Sequence, residues 1–294
     1  MKIGFLGAGK MGLPIACNIA RKTGGPLAIY DPRPPVLPAE AGDAAALLSF
    51  VPAIGDLSGC DVVVLCLPDS KVVSAVVEGA GGQPGLIDVL RPGSVVVDCS
   101  SSIPSETTRL AALLAAKEIG LHDAPVSGGL VRAWKGELTI MAGGIAGDSP
   151  LLDVLGCFAS KIVRLDRVGD GHVMKAANNY LLAANIVSFT EALRFARTAG
   201  ISFEKFGEVV NSSSGASYVS ANKLETVRRD DDSVSFTSAL ITKDVRNFIE
   251  SCERAGLDLP MVPRVLEIWE GTVARVGPDV DSMKIYHTLG GRAS

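Results

Sequence analysis

Six consecutive residues near the start of the chain carry the first pattern with chemical content: Gly7-Ala8-Gly9-Lys10-Met11-Gly12. Before them, Lys2 to Leu6 reads as a strand, and after them Met11 to Arg21 has a helical pattern. In that setting each glycine of a G-x-G-x-x-G has a task. Gly7 permits a tight turn, Gly9 lets the backbone come close to a pyrophosphate, and Gly12 allows close helix–strand packing. The helix start then offers free N–H groups to phosphate oxygens. A second strand, Leu27 to Tyr30, leads into Asp31. An acidic residue there accepts hydrogen bonds from a ribose 2′-hydroxyl and repels a 2′-phosphate. The pattern predicts a bound dinucleotide, NAD in preference to NADP, while Arg33 is the one neighbour that would accommodate NADP.

Two more places combine residue types that could act on a small acid. Asp123-Ala124-Pro125-Val126-Ser127-Gly128-Gly129 reads as a loop with exposed backbone, in which Ser127 offers a hydroxyl and Gly128 and Gly129 let a ligand reach main-chain N–H groups. It is either a cradle for a carboxylate or a turn that needs only the conformational freedom of glycine. Farther on, Lys175 and Asn179 stand four apart, on one face of a helix. Their neighbours Met174, Ala176, Ala177, Leu181 and Leu182 are apolar, so the helix is expected to be largely buried. A buried lysine loses its proton readily, which makes Lys175 a candidate for proton transfer. Leu67-Pro68-Asp69 and Cys99-Ser100-Ser101 close two further strand patterns. They are either cofactor contacts at strand ends or ordinary strand-to-helix loops.

The elements that must position these residues change character along the chain. Up to about residue 165, strand patterns (also Val62 to Leu67, Ser94 to Val97 and Leu138 to Met141) alternate with helical ones (Ser70 to Glu78, Ser105 to Glu118, Pro150 to Ala159). That alternation predicts a mainly parallel sheet covered by helices, an α/β Rossmann-type domain. From His172 to Thr198 runs one long helical pattern without Gly or Pro, followed by Phe203 to Asn211, Ser238 to Ala255 and Met261 to Ala274. An all-α domain is expected there. The boundary falls near Asp166 to Gly169, giving a dinucleotide-binding domain over 1–167 and a helical substrate and oligomerisation domain over 168–294. The long helix is apolar on more than one face, which predicts a homodimer or homotetramer.

Composition narrows the class further. Over 294 residues the hydrophobic fraction is 47% and the net charge −4, which argues against disorder and gives no electrostatic case for nucleic acid or an anionic membrane. Tyr180 to Phe189, the longest apolar stretch, is too short to span a bilayer. Six cysteines without CxxC spacing and only three scattered histidines predict reduced thiols, a cytoplasmic setting and no metal site. Met1 to Phe5 runs straight into the glycine turn, so no signal peptide is expected.

In the order of these blocks the chain resembles the β-hydroxyacid dehydrogenase family. The blocks are the Gly7–Gly12 loop, the Ser127-Gly128-Gly129 loop with Leu138 to Gly144, Lys175 to Asn179, and Phe236 to Lys243-Asp244. The resemblance implies Lys175 as the catalytic lysine and Ser127, Gly128 and Gly129 as the hold on the substrate carboxylate. It implies Asn179 as an orienting residue, Lys243 near the nicotinamide, and Leu67, Pro68 and Ser101 as cofactor contacts. The implied reaction is hydride transfer between NAD(P) and a small 3-hydroxy acid. Many relatives have Gly and Thr where this chain has Arg132 and Glu137. Arg132 is then either a second cationic contact for an acidic substrate or a surface residue of a short helix, and Trp134 is a candidate pocket wall. The rival readings are an NADPH-dependent reductase of small aldehydes and a non-catalytic NAD-binding sensor.

Overall fold

The computed structural model describes residues 1–289. The chain forms two compact units, Met1–Lys175 and a second that begins at Ala176, so they divide inside a helix.

The first unit is built on one nine-stranded sheet. Its strands are β1 (Ile3–Leu6), β2 (Leu27–Tyr30), β3 (Leu48–Phe50), β4 (Val62–Leu65), β5 (Val95–Asp98), β6 (Gly120–Asp123), β7 (Val126–Ser127), β8 (Leu138–Gly143) and β9 (Ala159–Leu165). They lie in the order β3-β2-β1-β4-β5-β6-β8-β7, and β9 pairs with β8. From β3 to β6 every pairing is parallel; β8 then runs antiparallel to β6 and β7. Six helices belong mainly to this unit: α1 (Gly12–Thr23), α2 (Ser70–Glu78), α3 (Leu86–Val89), α4 (Pro104–Ala115), α5 (Gly129–Lys135) and α6 (Leu151–Gly156).

The unbroken apolar run of β4 has a clear cause. Val62 and Val64 point into a core with Phe5, Ile15, Ile19 and Ile29, while Val63 and Leu65 point into another with Val73, Leu86 and Leu110. Successive side chains face opposite ways, so a strand covered on both faces must be apolar at every position. Polarity resumes at the carboxyl ends of the strands, where β5 and β6 both finish on aspartate.

Three features depart from the sequence reading. The segment Pro150 to Ala159, expected to be one helix, stops at Gly156, and Ala159–Leu165 forms the edge strand β9. Ile162 and Val163 suit a strand, but an edge leaves Lys161 and Arg164 in solvent, which hides the apolar signal. The short strands β3 and β6 are held by their parallel neighbours rather than by their own composition. The stretch Asp123 to Gly129 is not an open loop. Asp123 ends β6, Val126–Ser127 pairs with β8, and Gly129 starts α5.

Helix α7 (Asp170–Thr198) leads into the second unit, whose further helices are α8 (Phe203–Asn211), α9 (Tyr218–Asn222), α10 (Leu224–Arg228), α11 (Ser238–Arg254) and α12 (Met261–Val276). Ile186, Leu193, Ile241, Val265 and Trp269 form its core. The fully buried Trp269 donates its Nε1–H to the Ala183 carbonyl at 3.3 Å, so its one polar atom is satisfied. No helix among the described residues is long and apolar enough to cross a membrane.

All six cysteines are free thiols, five of them buried. Cys66 follows β4 and Cys99 follows β5, next to register partners Leu65 and Asp98. Cys66 keeps some accessible surface as a residue, yet the enclosure of its thiol, with the Asp98 carboxylate adding to it, pushes it from 9.0 up to about 12. Burial pushes the Cys99 thiol up as well. Both are therefore held protonated by the fold. For Cys66 the contribution to stability is complete below pH 9.0 and is lost as pH rises toward about 12, because only the unfolded chain ionises in that window; the contribution of Cys99 is lost in the same direction. At pH 8, iodoacetamide should leave Cys66 and Cys99 unmodified in the native protein and label them after denaturation; peptide mapping reads this directly.

Candidate active site

The glycine loop lies between the end of β1 and the start of α1. Gly7 has φ 93°, and a Cβ there would sit 2.3 Å from the Cys66 carbonyl oxygen. A Cβ on Gly12 would sit 1.8 Å from the Gly7 oxygen. Both glycines are thus demanded by the chain itself. Gly9 is different: nothing lies within 4 Å of a Cβ built on it, and its φ is not positive. Its smallness meets no need of the protein and suits a ligand that approaches the backbone. Helix α1 has no side-chain N-cap and no acidic residue in its first turn, so its N–H groups and dipole are open to an anion. Exposed Lys10 and half-buried Met11 complete the loop. These features fit the pyrophosphate of a dinucleotide.

Asp31 is tied to the same loop. Its Oδ2 accepts the Ala8 N–H at 2.8 Å, and its Oδ1 accepts the Arg33 N–H at 2.8 Å. The carboxylate is held at the end of β2, and each oxygen retains acceptor capacity for a ribose hydroxyl.

The turns after β4 and β5 are stitched together. Ser100 Oγ accepts the Leu67 N–H at 2.9 Å, and Ser70 Oγ accepts the Ile103 N–H at 2.6 Å. A Cβ on Gly7 would also press on Leu67 Cδ2 at 2.9 Å, so Leu67 borders the glycine loop. Pro68 is exposed and Ser101 half-buried on these turns. Three strand ends thereby present Gly7–Gly12, Leu67–Pro68 and Ser101 along one rim, as expected of a parallel sheet.

Ser127, Gly128 and Gly129 form the passage from β7 to α5. The two glycines have φ 140° and 73°, conformations other residues rarely adopt. Nothing lies within 4 Å of a Cβ built on Gly129, so this backbone too is open to a ligand. Lys175, in the second turn of α7, donates from Nζ to the Val126 carbonyl at 2.8 Å. That bond sets the amine beside the residue preceding Ser127. Arg132, exposed on α5, runs its stem against Gly128, with Cβ and Cδ 3.3 Å from a Cβ there, and its Nη2 donates to Ser160 Oγ of β9 at 3.3 Å. Trp134 packs against the cluster of Leu13, Cys17, Ala41 and Ala44 instead of walling a pocket.

In the second unit Asn179 of α7 meets α11. Its amide donates to Asp244 Oδ2 at 2.5 Å and accepts from the Asn178 amide at 3.1 Å. Lys243 Nζ lies 3.1 Å from Asp244 Oδ1. That contact is an ion pair without aligned hydrogen-bond geometry, so the buried Oδ1 keeps room for a further donor. The pairing of Asn179 with Asp244 was invisible in the spacing of the sequence, as were the buried polar residues Asp98, Asp123 and His172. The only sequence signal for the two aspartates is a charge closing a strand.

A strand, glycine turn and helix on a sheet whose first six strands run in the order 3-2-1-4-5-6 make the doubly wound architecture that binds dinucleotides at its strand ends. Comparison with known proteins specifies the class. Residues 2–165 match the family model described as the NAD binding domain of 6-phosphogluconate dehydrogenase, and residues 169–289 match that described as NAD-binding of NADP-dependent 3-hydroxyisobutyrate dehydrogenase. The chain is 33% identical over 280 residues to 2-(hydroxymethyl)glutarate dehydrogenase of Eubacterium barkeri, covering 92% of this chain and 89% of the relative. It is 30% identical over 295 residues to 2-hydroxy-3-oxopropionate reductase of Escherichia coli (strain K12), covering 98% and 97%. Mycobacterium tuberculosis 3-hydroxyisobutyrate dehydrogenase, solved with L-serine, superposes with a TM-score of 0.85 at 25% identity over 99% of each chain. The chain belongs to the β-hydroxyacid dehydrogenase family, and its cofactor is NAD(P).

The glycines give a contrast that tests the cofactor site. Gly9→Ala should fold with a Tm near that of the parent yet bind NADH at least ~10-fold more weakly, since a methyl would occupy the space of the pyrophosphate. Gly12→Ala should lower Tm, because its Cβ has no room. Thermal melts and NADH fluorescence titration separate the two effects; undiminished NADH affinity in Gly9→Ala would place the dinucleotide elsewhere.

Proposed function

We propose that the protein oxidises a small 3-hydroxy acid at its CH–OH group, or reduces the matching semialdehyde, with Lys175 as the group that moves the proton. The observation that carries this reading is the 2.8 Å bond from Lys175 Nζ to the Val126 carbonyl. It sets the amine beside a backbone cradle open at Gly129. In this reading Ser127 and the N–H groups after it hold the substrate carboxylate. Lys175 takes the hydroxyl proton as the carbinol hydrogen departs with its electron pair, leaving a carbonyl, and returns the proton in the reverse direction. Bound NAD(P) supplies the hydride acceptor or donor. Following the family resemblance, Asn179, braced by Asp244, is assigned to orienting the substrate and Lys243 to the nicotinamide. Asp31 favours NAD over NADP through its charge. Arg132 offers its cation to a second anionic group, a reading encouraged by the dicarboxylate named in the Eubacterium barkeri relative.

The test is a panel of 3-hydroxy acids, monocarboxylic and dicarboxylic, assayed with both cofactors and in both directions. The expected result is turnover with at least one hydroxy acid and a lower KM for NAD than for NADP. Lys175→Ala should lower kcat ~10²–10⁴-fold, the usual worth of a positioned acid–base group, with NADH affinity retained. Near-parental turnover in that variant would remove the lysine from the mechanism.

We also propose a homodimer or homotetramer in the cytoplasm. Leu181 and Phe195, two heptads apart on α7, are 59% and 78% exposed, two large apolar side chains on one helix face that a second copy of the chain would cover. The reduced state of all six cysteines suits that compartment. Sedimentation velocity at micromolar concentration should give a dimer or larger species, and Leu181→Glu should shift it toward monomer.

A further inference from the structure

Strands β5 and β6 end on aspartates that are register partners, Asp98 and Asp123, each almost completely buried. Between their carboxylates stands a third fully buried polar side chain, His172 of α7. Its Nε2 lies 3.9 Å from Asp98 Oδ2 and its Nδ1 lies 3.7 Å from Asp123 Oδ2. These distances are too long for direct hydrogen bonds. The ring's own partners are others: Nε2 is 3.1 Å from the Ser100 carbonyl and Nδ1 is 2.7 Å from Thr107 Oγ1. A carbonyl can only accept, so Nε2 carries a proton and donates it to Ser100.

Each carboxylate serves a different side of the site. Asp98 accepts the Ser100 N–H at 2.9 Å and the Ser102 hydroxyl at 2.8 Å, which shapes the turn bearing Ser101. Asp123 accepts the Gly169 N–H at 2.7 Å and the His172 N–H at 2.8 Å. It caps the start of α7 from outside the helix, where a carboxylate also favours the helix dipole. Its oxygens fill space left by glycine, since a Cβ on Gly143 or Gly171 would lie 2.3 Å or 2.7 Å from them. His172 joins the two sides. Through Ser100 it reaches Leu67, whose N–H is bound by Ser100 Oγ. Three residues along α7 from His172 stands Lys175, with its amine on the Val126 carbonyl.

We propose that His172 is a positioning residue that locks the cofactor-bearing turns after β4 and β5 to the start of the lysine helix, so that cofactor grip and lysine placement are set by one buried network. The part concerning Lys175 rests on the function proposed above; the part concerning the cofactor turns does not. None of these residues touches the reacting atoms in this assignment. Asp123 holds the helix, Asp98 holds the turn, and the imidazole spans them.

The test compares His172→Leu, His172→Gln and Thr107→Val with the parent, reading NADH affinity by fluorescence, kcat, KM for the hydroxy acid, and Tm. Gln keeps an N–H donor where Nε2 stands, whereas Leu keeps none. His172→Leu should weaken NADH binding ~5–30-fold and lower kcat by a similar factor, the scale of one buried hydrogen bond lost with its partner left unpaired. KM for the hydroxy acid should move less than either. His172→Gln should restore both quantities to within about threefold of the parent, which a bare packing role would not do. Thr107→Val, a smaller insult near the same ring, should show the same joint shift at lower amplitude and keeps the test open if His172→Leu does not fold. Nitrogen NMR of the parent should find the His172 ring proton on Nε2. Folded His172→Leu or Thr107→Val protein with parental NADH affinity and kcat would overturn the proposal, as would a lowered Tm in His172→Leu as the only change. Lys175→Ala separates the two readings: if it keeps its turnover, the lysine assignment falls, while NADH affinity in the His172 variants still decides the role of the network.

Discussion

Among the glycines of the first unit, Gly12 leaves the least room for a side chain: a Cβ there would lie 1.8 Å from the carbonyl oxygen of Gly7. This contact lets the chain leave β1 and enter α1 within one tight turn. Its consequences spread along the sheet, because β1 pairs with both β2 and β4. The Ala8 N–H faces Asp31 at the end of β2, and Gly7 lies against Cys66 and Leu67 at the end of β4. The open start of α1 is therefore framed by two neighbouring strand ends. A bulkier residue at position 7 or 12 would push these parts away from one another, and the anion site is made of their closeness.

The rim of a buried parallel sheet must also manage polarity. The strands are apolar where helices cover both faces, and the backbone must find water, ligands or side chains where they end. Here the answer on β5 and β6 is buried carboxylate. Such groups destabilise unless every lone pair has a donor, and they then fix geometry strongly. Asp98 and Asp123 each take two donors from the loops and helix that follow, and those are the segments that carry candidate functional residues. The same desolvation that makes the aspartates costly keeps the thiols of Cys66 and Cys99 protonated beside them.

What could be read from the sequence was whatever has a local signal. The glycine spacing, the solid apolar run of β4 and the long periodicity of α7 are each written within a few adjacent residues. The parallel sheet, the helical second unit and the family blocks followed from them. Features built on distant pairing stayed hidden. Strand β9 exposes half its residues at the edge of the sheet, so its pattern is weak. Asp123 looked like a loop residue because its partners Gly169 and His172 lie 46 and 49 residues away. Trp134 looked like a pocket wall because it is near Ser127 in sequence, whereas helix α5 turns it toward Leu13 and Cys17. Spacing alone put Lys175 and Asn179 on one helix face. It could not disclose that one holds a carbonyl and the other a carboxylate.

The difference between those two partners bears on what each residue is able to do. Asn179 meets a carboxylate, an acceptor for its amide N–H, and cannot exchange roles with it without losing that bond; it suits a fixed orienting task. Lys175 meets a backbone carbonyl, which accepts an N–H from an ammonium and from a neutral amine alike. In the proposed role, the bond to Val126 would therefore persist before and after a proton moves. With one N–H so occupied, a neutral amine has its lone pair directed away from Val126. A proton-transfer group needs this combination, a fixed position through both halves of the exchange.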